Sequence, residues 1–313
     1  MPELPELDVL AENLAARLGG ARVAAMRVVS VAALKTFDPP IDALVGRAVT
    51  GAGRRAKYVW LQLADRPSTR GAHAAGSPSD QGDPMRRRYS AGPPGKLLLV
   101  VHLSLGGRLA VGAKPAGRKV AVLTVGLDDG RVLSMTEGGS QRRAAVWLVD
   151  DVEKVPGLAG LGPEPLDPGF TVERLAAILA EGGHTLKWML TDQRAMAGVG
   201  NGWSDDVLHR AKLSPFARPE RLDAEEVARL HAALVGVLTE ARGSLAEQAG
   251  GEVELPRAAE RRFAVHGRAG AACFVCGDTI RSVWMGERET SYCPTCQTGG
   301  RVLADRRRSR FLR

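Results

Sequence analysis

The segment Cys273-Phe274-Val275-Cys276 is followed, sixteen residues later, by Cys293-Pro294-Thr295-Cys296. This spacing decides how the C-terminal part folds. Each Cys-x2-Cys turn presents two thiolates to one ion, and two such turns close a tetrahedral shell. These four are the only cysteines, and the 272 residues before them contain none. Paired disulfides or a redox dithiol are the other uses of the spacing. The N-terminus lacks a signal-peptide pattern, so an intracellular setting is expected, where disulfides are rare. One structural zinc ion held by Cys273, Cys276, Cys293 and Cys296 is therefore the expected cofactor. The stretch 263–313 holds little that could form a core of its own, so zinc must supply much of its folding energy. Two strands, near 279–283 and 290–292, are expected to form a ribbon with 285–289 as its tip. Arg288 lies on or near that tip, where its planar fork can reach nucleic acid; a lone exposed arginine is also an ordinary solvated charge.

Upstream of this module the signals are helical. Thr171 can cap a helix running to Ala180. Asp223 and Glu226 form a capping box ahead of Val227, Leu230, Leu234, Val237, Leu238 and Ala241 on one face. Between them, Gly198-Val199-Gly200-Asn201 lies in a glycine-rich turn running into a further helix, for which Ser204 is the expected cap. Such a turn can aim backbone amides at a phosphate, or simply join packed helices. Residues 155–170, with four prolines and four glycines, read as a linker. From residue 21 to about 150, short alternating or apolar runs at 58–63, 97–101, 120–125 and 131–135 predict a sheet-rich domain, a sandwich. A Gly-, Pro-, Ser- and Arg-rich stretch at about 65–95 reads as a disordered surface excursion. Its Arg86-Arg87-Arg88 run reads as a solvated patch. The expected organisation is α+β and multidomain. It comprises an N-terminal domain at 1–152, a linker at 153–170, a helical domain at 171–262 and the zinc module at 263–313.

The chain opens Met1-Pro2-Glu3-Leu4-Pro5-Glu6. Removal of Met1 would leave a proline secondary amine beside a carboxylate at a helix start, the pairing that imine-forming covalent catalysis uses. The same residues also suit an ordinary helix N-terminus. Leu4, Leu7, Leu10, Leu14 and Leu18 recur at helical spacing, so a helix with one buried face should follow at once.

The 313 residues carry 43 lysines and arginines against 35 acids, a net charge of +8, which favours a polyanionic partner. No apolar run approaches the roughly twenty residues of a membrane span, so no membrane partner is expected.

Taken together, Met1-Pro2-Glu3-Leu4-Pro5-Glu6, Arg54-Arg55-Ala56-Lys57-Tyr58, the Gly198-Val199-Gly200-Asn201 turn and the two Cys-x2-Cys pairs resemble the formamidopyrimidine-DNA glycosylase and endonuclease VIII family of base-excision repair enzymes. The stretch 292–303 looks like the tail of actinobacterial members. The resemblance implies an N-terminal β-sandwich with an N-terminal helix, a helix-two-turns-helix domain and a C-terminal zinc-finger β-hairpin. It implies a bifunctional glycosylase and lyase acting on double-stranded DNA with damaged bases or abasic sites, as a monomer, in the bacterial cytoplasm at the nucleoid. By analogy Pro2 is the nucleophile, Glu3 transfers a proton, Glu6 orients the site, and Lys57 pairs with a phosphate and moves a proton. Lys187, Asn201 and Arg288 bind phosphates, and Arg288 also acts in the second elimination. Leu105 and Arg142 fill the gap left by an extruded base, while Ala144 stands where an aromatic residue is usual. A DNA-binding protein of the same fold without catalysis is the alternative.

Overall fold

The computed structural model describes residues 1–65, 95–117, 119–256, 260–285 and 288–304. Most of the expected excursion at 65–95, with Arg86, Arg87 and Arg88, lies outside them. The chain divides into two compact units, one of residues 1–2, 7–159 and 249–255, the other of residues 3–6, 160–248 and 256–313.

Helix α1 (Leu4–Leu18) forms because leucines recur every three or four residues, giving one apolar stripe. Leu4, Leu7, Leu10, Leu14 and Leu18 are all buried. Among the described residues, eight strands follow in the first unit: β1 (Val23–Val28), β2 (Ala48–Arg55), β3 (Tyr58–Ala64), β4 (Leu97–His102), β5 (Gly107–Gly112), β6 (Ala121–Leu127), β7 (Val132–Glu137) and β8 (Ala145–Val149). They form two four-stranded antiparallel sheets, ordered β1-β6-β7-β5 and β2-β3-β4-β8. Val59, Leu61, Leu99 and Val101 from one sheet share a core with Leu109, Leu123, Val125, Leu133 and Met135 from the other. The α1 leucines Leu7, Leu10, Leu14 and Leu18 join the same core.

The uninterrupted apolar run of β4 has a specific cause. Its odd residues face the sandwich core, while Leu98 and Val100 pack on the outer side with Trp60, Val149, Val152 and Val155. A strand covered on both faces cannot alternate. The β2–β3 turn holds Ala56 at φ 50, a left-handed conformation that a non-glycine residue adopts only when its surroundings impose it. Ala56 is buried there, and so is Lys57 next to it. Arg54, from the same basic cluster, donates through Nε to Asp8 Oδ1 of α1 at 2.6 Å.

The second unit carries α2 (Val172–Ala180), α3 (Leu186–Thr191), α4 (Asn201–Arg210) and α5 (Ala224–Ala249), then the hairpin β9 (Arg281–Met285) and β10 (Arg288–Tyr292) and the short α6 (Pro294–Thr298). Thr171 caps α2 through Arg174 N, and Asp223 and Glu226 exchange their two capping bonds, as expected. The expected Ser204 cap is corrected. Helix α4 starts at Asn201 with Gly200 at its N-cap, and Ser204 lies inside it, bonded back to Gly200 O at 2.5 Å. Its first amides are satisfied by an acceptor from far along the chain, described below. The Arg288 position is also refined: it opens strand β10, opposite Met285.

Gly107 sits where the chain re-enters the sandwich, with a Cβ position 2.2 Å from the Leu103 carbonyl oxygen. Backbone cannot move aside cheaply, so Gly107→Ala should destabilise this unit by about 1–3 kcal/mol. Gly112→Ala, whose nearest atom is 3.9 Å away, should shift the urea midpoint far less. Equal midpoints for the two variants would contradict this.

Candidate active site and metal centre

The second unit assembles its polar centre around the first turn of α4. Glu3 precedes α1 and is buried. Its Oε2 accepts from Gly200 N at 2.7 Å and Trp203 N at 3.4 Å, and its Oε1 accepts from Gly202 N at 2.9 Å. A carboxylate from 197 residues upstream thus does the work of an N-cap side chain, and the positive end of the helix favours its negative charge. The approach demands glycine: a Cβ on Gly200 would lie 2.3 Å from the Glu3 carboxyl carbon, and one on Gly202 would lie 3.3 Å from its oxygen. Gly198, at φ +88, takes a conformation that glycine favours, and accepts the Leu4 amide on its carbonyl at 3.0 Å. Gln193 holds the turn, accepting from Gly198 N and donating to Thr191 O and Val199 O.

Glu6 lies beside Glu3 and is fully buried. Its Oε2 accepts the Glu3 amide at 2.8 Å, and Trp203 Nε1 donates to both its oxygens at 3.1 and 3.3 Å. Arg261 Nε stands 3.2 Å from Glu6 Oε1. Burial pushes the Glu6 carboxyl above its usual range, the Arg261 charge opposes this, and the Glu3 charge adds to it. Neither Trp203 nor Arg261 was marked by the sequence. Their functional meaning comes only from folding against Glu6.

Lys187, expected to hold a backbone phosphate, already has protein partners. It is buried, and its ammonium donates to Asn201 O at 2.7 Å, Ser204 Oγ at 2.8 Å and Asp205 Oδ1 at 2.6 Å. Those three bonds use all its donors, so it ties α3 to α4. Burial pulls its pKa below the usual value, against the attraction of Asp205. Asp205, fully buried, turns its other oxygen to His266 Nδ1 at 2.6 Å and accepts from Ser291 N at 3.0 Å. Asn201 donates through Nδ2 to Glu289 O at 2.7 Å, and its buried Oδ1 has no partner. Arg288 is exposed and reaches Thr191 Oγ1 at 3.3 Å. The start of β10, α3 and the first turns of α4 therefore converge.

In the first unit, Pro2 is buried. Lys57 lies close enough to His102 for its charge to add to burial in lowering the His102 pKa, which keeps that imidazole neutral at pH 7. The Tyr58 ring packs tilted against His102, with centroids 4.8 Å apart. Leu105 is 64% exposed at the β4–β5 turn. Arg142 is exposed and donates to Lys119 O at 2.9 Å. Ala144 is buried in the sandwich core, its amide held with that of Arg143 by the buried Glu137 carboxylate.

The four cysteine sulfurs come together in the finger. Cys276 and Cys293 are 3.3 Å apart, and Cys273 and Cys296 are 3.9 Å apart. A zinc–sulfur distance of about 2.3 Å gives tetrahedral edges of roughly 3.8 Å, whereas a disulfide would need about 2.05 Å. The site fits zinc and excludes paired disulfides. Val265, Ile280, Cys273 and Cys293 form the finger's small core. Asp206 accepts the amides of Ala264, Val265 and His266, fastening the start of this segment to α4.

Three family models match the chain: the formamidopyrimidine-DNA glycosylase N-terminal domain over residues 1–145, its H2TH domain over 161–249, and the zinc finger found in FPG and IleRS over 271–299. The fold and these matches define a zinc-finger DNA glycosylase. A formamidopyrimidine-DNA glycosylase of Mycolicibacterium vanbaalenii is 31% identical, covering 96% of this chain and all of that protein. An uncharacterized formamidopyrimidine-DNA glycosylase-like protein of Mycobacterium tuberculosis is 44% identical over 154 residues, 49% of this chain and 94% of its own length. Among solved structures, the MutM (Fpg) protein of Thermus thermophilus superposes with a TM-score of 0.73 at 29% identity, covering 95% of this chain and 98% of that one. A Lactococcus lactis Fpg bound to abasic-site DNA shares the fold, with a TM-score of 0.76 at 22% identity over 95% and 99% of the two chains. The chain belongs to the formamidopyrimidine-DNA glycosylase family, and its cofactor is a structural zinc ion.

Because zinc supplies the folding energy of so small a module, Cys296→Ala should lose the metal and unfold the finger while the sandwich unit keeps its structure. Metal analysis with amide NMR checks this. A variant that keeps one zinc per chain and native finger resonances would contradict it.

Proposed function

We propose that this glycosylase removes damaged bases from duplex DNA and then cleaves the abasic strand through a covalent bond to Pro2. The observation that carries the reading is the seat of Glu3. The residue that follows Pro2 is clamped by three backbone amides, so the amine exposed by removal of Met1 is attached to a fixed carboxylate. A fixed, unprotonated amine is what imine chemistry requires. The net charge of +8 suits a DNA partner, and the Lactococcus lactis relative is complexed with abasic-site DNA.

The damaged nucleotide leaves the stack, since its sugar carbon is inaccessible within it. The Pro2 nitrogen lone pair forms a bond to C1′ as the glycosidic bond breaks, its electrons leaving with the base, which takes up a proton. The nitrogen gives up its own proton. Ring opening follows when O4′ gains a proton and the C1′–O4′ bond breaks, leaving an iminium cation. Glu3 serves this proton transfer, and its negative charge stabilises the cation beside it. Loss of the C2′ proton then expels the 3′ phosphate, loss of the C4′ proton expels the 5′ phosphate, and water releases Pro2. Glu6 fixes the α1 start through the Glu3 amide. Lys57 pairs with a phosphate and moves a proton, and Asn201 contributes a phosphate contact. Arg288 binds the phosphate expelled in the second elimination. Leu105 and Arg142 fill the space left by the extruded nucleotide.

Borohydride reduces an imine to a stable adduct, so the Met1-processed protein should be trapped on an abasic duplex, and on duplexes carrying 8-oxoguanine or 5-hydroxyuracil in the order of lesion preference. Pro2→Gly should retain DNA affinity and lose most of the adduct. Absence of any adduct from the native protein, with binding intact, would leave a DNA-binding protein. Gly200→Ala should evict Glu3 from its amides and slow trapping by about 100-fold, by analogy with loss of a preorganised electrostatic contact. Unchanged trapping in that variant would remove the Glu3 seat from the mechanism.

A further inference from the structure

Helix α4 ends close to the metal centre. His209, in its last turn, is buried, and its Nε2 lies 3.3 Å from the Sγ of Cys273. The ring nitrogen and the sulfurs of Cys273, Cys293 and Cys296 all lie within 4.8 Å of one another. Nothing in the Cys-x2-Cys spacing points to a histidine 64 residues upstream of Cys273, and His209 falls outside the stretch that matches the zinc-finger model.

Four thiolates around one zinc ion carry a formal charge of −2. Cys276 is exposed, but Cys273 and Cys293 are buried, so the charge on those two sulfurs is held away from water and needs donors aimed at them. Val275 N supplies one to Cys273 Sγ at 3.5 Å. We propose that His209 supplies another: its Nε2–H donates to the Cys273 thiolate from outside the coordination shell, making His209 a positioning residue for the zinc site. The shell is complete without it. Cys276 lies 3.3 Å from Cys293, a coordination edge, and structural zinc sites are almost always four-coordinate. By drawing charge from the sulfur, the bond steadies Cys273 in the shell and slows loss of the metal. It also ties the end of α4 to the finger whose hairpin carries Arg288.

The test uses full-length protein loaded with one zinc and compares His209→Met, which fills the volume without a donor, with His209→Gln, which places an N–H near the same point. Zinc transfer to a chromophoric chelator should be about 10–100-fold faster from the Met variant, the effect typical of losing such an outer partner. The Gln variant should stay within a few-fold of native. Equal release from native and Met proteins would overturn the proposal, and so would equal acceleration in both variants, which would make the effect one of packing. With cobalt in place of zinc, a four-thiolate charge-transfer spectrum in native and Met proteins supports an outer position. A three-thiolate, one-nitrogen spectrum in the native protein overturns it and makes His209 a ligand. If His209→Met fails to fold, the native protein loaded with cadmium-113 still decides. A protonated Nε2 whose hydrogen couples to the metal supports the bond, and an unprotonated Nε2 refutes it.

Discussion

The polar architecture of the second unit depends on one contact, the Glu3 carboxylate on the first amides of α4. Helices begin with amides that lack intrahelical partners. Here the missing acceptor comes from the N-terminus of the chain. This arrangement satisfies the buried helix end, fixes where α1 starts, and holds the residue after Pro2 in a dry, positively polarised seat. Glu6 accepts the Glu3 amide and is itself gripped by Trp203 from the same helix. The two acids are thereby locked to one scaffold, and Arg261 offsets the cost of burying the second charge.

Much of the fold was legible because its signals are local. The leucine repeat of α1, the cap at Thr171 and the box of Asp223 with Glu226 each act over a few residues. The apolar run at 97–101 marked a strand, and its lack of alternation is explained by burial on both faces of β4. Reading failed where a distant group replaced a local one. Ser204 satisfies the composition rule for a cap, yet Glu3 takes that office and the helix starts four residues earlier. The same holds for Lys187, to which the resemblance gave a phosphate and whose buried partner Asp205 no local pattern announces.

The metal site was legible, since the four cysteines are marked by their spacing, and Pro2 and Glu3 stand out by position as the candidates for the proposed covalent chemistry. The supporting layer was not legible. Trp203, Asp205, His209, Arg261 and His266 carry no pattern in the sequence, because their partners lie on other elements. Only the packing of α4 against β10, α3 and the residues before α1 gives them meaning. The departure at Ala144 was visible in the sequence, and its burial beneath the Glu137-held loop shows that this position contributes to the sandwich core.

Asp205 has a consequence for how this chain can change over generations. Its carboxylate serves Lys187, His266 and the Ser291 amide at once, so each partner is answerable to the other two. Replacing Asp205 alone leaves the buried Lys187 ammonium without its counter-charge, and replacing Lys187 alone leaves the buried Asp205 carboxylate only His266 and the Ser291 amide, either costing up to roughly 3–5 kcal/mol. That is a large fraction of the margin by which a typical domain stays folded. Drift at this junction is therefore confined to paired steps, and lineages that take different pairs will differ here as matched sets.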